Sequence, residues 1–131
     1  MILHAPIPEK TEQVAREIVD AGFQFHAALG PGLLESAYRH CLTYERTNRG
    51  LEAGTQVPMP VCYRDITLEA SDRLDLLVNN SVIIEIKAVE SLPPVHESQL
   101  LTDLRMSKLR LGFLMNFNVK LFKLGLKRMI N

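Results

Sequence analysis

The stretch "RLDLLVNNSVIIEIKAV", residues 73–89, decides the fold. Two runs rich in Val, Leu and Ile flank Asn-Asn-Ser at residues 79–81, a turn signal between two strands. Each run nevertheless carries charge, with Asp75 in the first and Glu85 and Lys87 in the second. Because a buried charge is costly unless it is paired or coordinated, these three side chains require partners.

A three-residue turn predicts the register of this hairpin. It pairs Val78 with Val82, and counting back along antiparallel strands places Asp75 opposite Glu85, with Cβ atoms roughly 4.5–5.5 Å apart. A two-residue turn would shift the register by one and mix the apolar and charged faces. The pattern therefore favours the register that brings two carboxylates together.

Two facing carboxylates beside a lysine have three interpretations. The face is solvated, with Lys87 and Arg73 neutralising the acids; or the carboxylates share a proton; or Asp75 and Glu85 hold a divalent cation. In the third case, Lys87 contacts the metal-bound water or the charge of a substrate. The flanking Ile and Leu runs indicate a covered sheet, which favours the cation.

The rest of the chain predicts one α/β domain over residues 1–131, with the order α-α-β-β-β-α-β-β. Apolar spacing and glycine stops predict the first two helices. Pro58 and Pro60 mark an edge strand, because proline cannot donate to a sheet ladder. The predicted elements are helices at 9–29, 33–48 and 95–109, extended segments at 55–63 ("TQVPMPVCY") and 64–69 ("RDITLE"), the hairpin, a strand at 111–117 and a short strand in "GLKRMIN".

Composition excludes several classes of protein. No apolar run reaches the length of a transmembrane helix, and the N-terminus lacks the pattern of a secretory signal, so we expect a soluble, cytoplasmic protein. The histidines and cysteines show no zinc-ligand spacing. The formal net charge is zero, yet seven basic residues and no acid follow Asp103. These bases are either solvated or form a local patch for nucleic acid.

Several segments carry a resemblance to a known family. The hairpin contains Asp75 followed by Glu85-Ile86-Lys87, and "GPGLLESAY" contains a GxxExxY motif. Together with "HAALGPG", "IIEIKAVE", "PVHESQLL" and the late "NF", these segments resemble the GxxExxY protein family of the PD-(D/E)XK nuclease superfamily, close to RecB-type nucleases, over nearly the whole chain. The resemblance implies a restriction-endonuclease-like core, a central mixed β-sheet of four to five strands flanked by helices.

The resemblance also implies roles for individual residues. Asp75, Glu85 and the carbonyl of Ile86 are the expected metal ligands, and Glu35 is a further candidate. Lys87 is expected to position or activate the attacking water. The implied catalytic set is Asp75, Glu85, Lys87, Glu35 and Gln99, and the expected nucleic-acid contacts are Tyr38, Arg73, His96, Arg105, Lys108 and Arg110.

Two of these positions leave alternatives open, and one further position departs from the family pattern. An acid in the first turn of a helix, such as Glu35, is favoured by the helix dipole alone. Tyr38 can pack in the core while its hydroxyl finds a partner. RecB-type nucleases tend to show Gln-x-x-x-Tyr, whereas this chain has Asp103 four residues after Gln99. That departure removes a phosphate-contacting hydroxyl and adds an acid.

The expected function is therefore metal-dependent hydrolysis of nucleic-acid phosphodiester bonds. The implied cofactor is Mg²⁺ or Mn²⁺, and the implied partner is nucleic acid, DNA rather than RNA. The alternative is a catalytically inactive module on the nuclease fold that binds nucleic acid or a protein. We expect no membrane partner, and unpaired sheet edges leave assembly into a homo-oligomer open.

Overall fold

Two long helices begin the part of the chain that the computed structural model describes, residues 5–68 and 73–131. Helix α1 spans Glu9–Leu29 and helix α2 spans Glu35–Asn48, close to the predicted ranges. In α1, Val14, Ile18 and Phe25 lie on one buried stripe, as the apolar spacing predicts. Gly30 ends α1 with a φ of 70°, a conformation that glycine adopts without steric cost.

The central sheet has five strands and is mixed, as predicted. Its strand order is β1-β4-β5-β6-β7, in which only β5 and β6 are parallel. Helix α3 makes the crossover between those two strands. The remaining elements are β1 Ala53–Pro58, β2 Val61–Tyr63, β3 Ile66–Leu68, β4 Arg73–Val78, β5 Val82–Lys87, α3 Val95–Ser107, β6 Leu111–Asn116, α4 Phe122–Gly125 and β7 Leu126–Ile130.

The prediction of one extended segment at residues 55–63 is wrong. Strand β1 ends at Pro58, and β2 pairs with β3 in a separate two-stranded sheet. Pro58 and Pro60 have no N–H donors with which to continue the ladder, so the chain leaves the main sheet there. The segment predicted at 64–69 ends at Glu69, which lies outside the described residues. If β2, β3 and the short helix α4 are left out, the order of the remaining elements matches the predicted order.

The sheet separates two apolar cores. Helices α1 and α2 cover one face, where Ile18, Tyr38 and Leu42 pack against residues of the strands. Helix α3 covers the other face through Leu100 and Leu104. The result is a three-layer α/β/α arrangement, consistent with a restriction-endonuclease-like fold. In this arrangement, the charged ends of β4 and β5 lie beside the N-terminal half of α3.

Candidate active site

The hairpin of β4 and β5 follows the predicted register and then opens at its charged end. Its paired residues extend as far as Leu76 and Ile84. Beyond them, the N–H of Ile86 donates to Asp75 Oδ2 at 2.8 Å, so a side chain replaces the backbone of β4 as acceptor. Because the N–H and C=O of a strand residue point toward the same neighbour, the carbonyl of Ile86 also faces this opening.

Strand β4 twists at Asp75, so that the side chains before and after it do not keep the strict alternation between the two faces of the sheet. Leu76 packs in the core beneath α1 and α2, whereas Leu74 packs in the core beneath α3. Residues two apart on a regular strand share one face. Asp75 therefore lies at a local twist, and its carboxylate reaches sideways toward β5 as well as toward side chains from α2 and β1.

The second oxygen of Asp75 has two donors that sequence reasoning missed. Arg39 Nη2 lies 3.3 Å from Asp75 Oδ1, and Gln56 Nε2 donates to the same oxygen at 3.2 Å. Arg39 also lies 3.8 Å from Glu35 Oε1. Asp75 is only 7% exposed, so these contacts satisfy a carboxylate that water scarcely reaches.

A cavity of about 120 Å³ collects six of the twelve predicted site residues at this opening. We call it the acidic cavity. Its floor comes from β4, β5 and β6, and its wall comes from α3. Its lining residues are Arg73, Asp75, Glu85, Lys87, His96, Gln99, Asp103 and Leu114.

Glu85 is an acid of the acidic cavity whose pKa departs far from its ordinary value. The pKa of its carboxyl group is raised from 4.5 to about 8, chiefly by burial and in addition by the negative charges of Asp75 and Asp103, while Lys87 lowers it in part. A raised pKa of this kind means that burial and the neighbouring acids disfavour a negative charge on Glu85. The acidic cavity therefore favours either the neutral form of Glu85 or a positive charge beside its carboxylate.

Comparison with known proteins agrees with this arrangement. The model of the PD-(D/E)XK nuclease superfamily matches residues 12–129. The chain belongs to the PD-(D/E)XK nuclease superfamily. No curated protein and no solved structure shows a significant match to it. Members of this superfamily generally use divalent metal ions, and the family implies a nucleic-acid substrate.

The residues at the opening fit the kind of ion that the superfamily uses. Mg²⁺ is typically held by one or two carboxylates, with waters and substrate phosphates completing its shell. Asp75, Glu85 and the carbonyl of Ile86 would supply hard oxygen donors of this kind. In residues 5–68 and 73–131, no three His, Cys, Asp or Glu side chains are grouped to hold a metal ion. Two carboxylates and a carbonyl are oxygen donors of the kind that a hard divalent ion prefers.

Helix α3 contributes His96, Gln99 and Asp103 to the lining of the acidic cavity. His96 Nδ1 and Gln99 Oε1 lie 3.3 Å apart, one turn along the helix. Asp103, which stands where RecB-type nucleases tend to have tyrosine, lines the same cavity and acts on the pKa of Glu85. This position therefore adds negative charge to the site.

Two predicted residues from the GxxExxY segment lie outside the acidic cavity. Glu35 approaches Asp75 only through Arg39. Tyr38 has no exposed surface, and its hydroxyl donates to the carbonyl of Gly30 at 2.7 Å and accepts from the N–H of Leu33 at 3.2 Å. A side chain placed in this way cannot contact nucleic acid, which corrects the prediction for Tyr38 in favour of its structural alternative.

The structure also separates three predicted basic contacts from the acidic cavity. Arg105 lies in the last turn of α3, and Lys108 ends that helix in a left-handed conformation. Arg110 donates to the carbonyls of Asn131 and Ala5. Lys108 and Arg110 come directly before β6, whose first residue, Leu111, pairs with Val82 at the start of β5. They therefore lie at the end of the sheet opposite to the acidic cavity. Their predicted contact with nucleic acid stays a prediction, and it would lie away from the acidic cavity.

No helix in the described part of the chain combines the length and apolar composition that a membrane span requires.

Proposed function

We propose that the protein is a cytoplasmic, Mg²⁺- or Mn²⁺-dependent nuclease that hydrolyses phosphodiester bonds, with DNA as substrate rather than RNA. The observation that carries the proposal is the opening between β4 and β5. There, Asp75 and Glu85 converge with the carbonyl of Ile86, and Lys87 lines the same small cavity. Membership of the nuclease superfamily supports this chemistry.

Each side chain of the acidic cavity has a distinct task in this proposal. A bound divalent ion supplies polarisation of the phosphate and a lowered pKa for water. Asp75 and Glu85 provide its negative ligands. Lys87 orients the attacking water and offsets the charge that develops on the phosphate. Arg73 and Gln99 hold the neighbouring phosphate oxygens by charge and by hydrogen bond.

The first test is cleavage of labelled DNA and RNA, single- and double-stranded, with Mg²⁺ or Mn²⁺. We expect Lys87→Met to lower kcat/KM by about 10²-fold or more, because the water and the developing charge both lose their partner. Lys10→Met is the matched control, since Lys10 lies near the turn at the other end of the hairpin. Absence of cleavage by the wild type, or equal cleavage by Lys87→Met, contradicts the proposal.

Asp103 gives the second candidate function its support. An acid in place of the expected tyrosine raises the cost of bringing a phosphate into the cavity, which favours a catalytically inactive module that binds nucleic acid or a protein. Calorimetry with Mn²⁺ separates the two functions, because the nuclease must bind the ion and a binding module need not. Heat of binding that Asp75→Ala abolishes supports the nuclease.

The finer family assignment is also a proposal. Gly32, Glu35 and Tyr38 of the GxxExxY motif support placement in the GxxExxY branch, close to RecB-type nucleases. The structure gives two of them a local role, since Tyr38 ties the connection between α1 and α2 and Glu35 contacts Arg39. A motif of this kind positions the helix that delivers Arg39 to Asp75.

A further inference from the structure

Gln56 has an unusual backbone conformation for its place in the sheet. Its φ of 51° lies in the left-handed region, which residues with a Cβ atom seldom adopt. It lies inside β1, between Thr55 and Val57, which pair with Leu76 and Leu74. Gln56 is therefore the residue of β1 that stands opposite Asp75, and it interrupts the ladder there.

The other left-handed residues have an ordinary explanation. In the described part of the chain, the non-glycine residues with positive φ besides Gln56 lie at chain reversals or at a helix end, where this conformation is common. They are Arg64, Asn79, Asn80 and Lys108. A left-handed glutamine within a strand needs a different cause, and strained backbone of this kind tends to occur at functional sites.

The contact that Gln56 makes supplies that cause. Its Nε2 donates to Asp75 Oδ1 at 3.2 Å, while the N–H of Ile86 donates to Oδ2 at 2.8 Å. One donor on each oxygen fixes the rotation of the carboxylate. Arg39 reaches the same Oδ1 atom from α2, at 3.3 Å. The left-handed turn at Gln56 therefore places a neutral donor at the twist of β4.

We propose that Gln56 is a positioning residue for Asp75, and that its strained backbone is kept because it holds this carboxylate toward the acidic cavity. The expected effect of Gln56 on metal affinity rests on the proposed function. Its effect on the orientation of Asp75, and so on the hydrogen bond from the Ile86 amide, is independent of that function and can be measured without metal. Residues that hold a metal-ligating carboxylate by hydrogen bonds typically contribute about 10- to 100-fold to metal affinity or activity.

Two substitutions remove the contact while tolerating the backbone. Gln56→Gly adopts positive φ without steric cost, and Gln56→Asn tolerates it while its shorter side chain falls short of Asp75. The matched control is Asn80→Gly, which changes a left-handed residue in the turn between β4 and β5, away from Asp75. Using two variants keeps the test valid if one of them folds poorly.

The first measurement is amide hydrogen exchange in the presence of a chelator. The Ile86 amide should exchange about tenfold faster in both Gln56 variants than in the wild type, because Oδ1 of its acceptor Asp75 then keeps only the longer contact with Arg39. The Ile84 amide, which lies within the paired part of the hairpin, should not change. The control Asn80→Gly should leave the Ile86 amide as it is in the wild type.

The second measurement is the calorimetric Kd for Mn²⁺, which should rise about 10- to 100-fold in both Gln56 variants and stay unchanged in the control. Equal Mn²⁺ affinity of wild type and variants overturns the proposal, whatever the exchange rates. If the wild type binds no Mn²⁺, the proposed function fails and the exchange experiment decides the role of Gln56. An unchanged Ile86 exchange rate then overturns it as well.

Discussion

At the scale of single residues, the acidic cavity brings acidic side chains together in a partly buried place, where a negative charge on Glu85 is unfavourable. Glu85 is partly buried, and the acids Asp75 and Asp103 act on it, with Lys87 as a partial counter-charge. Such an arrangement lowers the stability of the ion-free protein. The proposed function, which requires a bound cation, would account for an acid at a strand position that an apolar residue would fill at lower cost.

The raised pKa of Glu85 predicts how stability depends on pH. Because this pKa is about 8 in the folded protein and 4.5 in the reference state, the folded state keeps a proton that the unfolded state loses between these values. The stability contributed by the protonated group is complete below about pH 4.5 and is lost as the pH rises to about 8. Glu85→Gln carries no such group and should lose none of this stability.

The measurement is the free energy of unfolding in a chelator from pH 4.5 to 8. We expect the advantage of Glu85→Gln over the wild type to grow across this range, by on the order of a few kcal/mol. Glu90→Gln, at an exposed position after β5, is the control and should follow the wild type. Stability curves of wild type and Glu85→Gln that stay parallel over the whole range contradict the prediction.

At the scale of elements, the connection between α1 and α2 depends on one hydroxyl group. Tyr38 Oη joins the carbonyl of Gly30 to the N–H of Leu33, and the ring stacks on Phe117 with centroids 4.7 Å apart. This contact sets where α2 begins relative to α1. The placement of α2 in turn determines where Arg39 meets Asp75.

This geometry predicts that Tyr38→Phe lowers the free energy of unfolding by about 1 kcal/mol, because two partly buried backbone groups lose a partner. Affinity for nucleic acid should not change, since the ring is inside the core. Denaturant titration and a DNA-binding assay check the two statements. Tyr44→Phe, on the exposed side of the same helix, is the control and should change neither quantity. Weaker DNA binding at unchanged stability would restore Tyr38 as a nucleic-acid contact.

At the scale of the whole molecule, the excess of basic residues after Asp103 does not form one surface at the site. Arg128 pairs with Glu12 on α1 through two contacts of 2.9 and 3.1 Å. Lys127 pairs with Glu97 on α3. These pairs link β7 to helices on both sides of the sheet, so their charges are largely compensated within the protein. Arg73, by contrast, lines the acidic cavity.

We therefore predict different effects of basic residues on DNA binding. Arg73→Gln should weaken binding and reduce the slope of log affinity against log salt by about one, the effect of losing one phosphate contact. The double variant Lys127→Gln and Arg128→Gln should leave that slope unchanged. Binding of a labelled duplex in a chelator, measured over a series of salt concentrations, checks both. A larger loss in the double variant would indicate that β7 carries the nucleic acid.

Much of this protein could be predicted from its amino-acid sequence. Turn length and the two-residue period of a strand determine the hairpin register, because a slip by one residue would expose the apolar face. Glycine stops and apolar spacing give the two long helices within two residues. The charged positions Asp75, Glu85 and Lys87 stand out because their neighbours are apolar, and the acidic cavity contains all three.

Only the tertiary structure decided how Asp75 is held. Its donors Arg39 and Gln56 are 36 and 19 residues away along the chain, and no periodic pattern connects them to it. The twist at Asp75 also breaks the alternation on which a strand prediction depends. Sequence periodicity describes repeated local geometry, whereas a strained residue such as Gln56 is stabilised by a single long-range contact. That contact exists only when β1, β4 and α2 have come together.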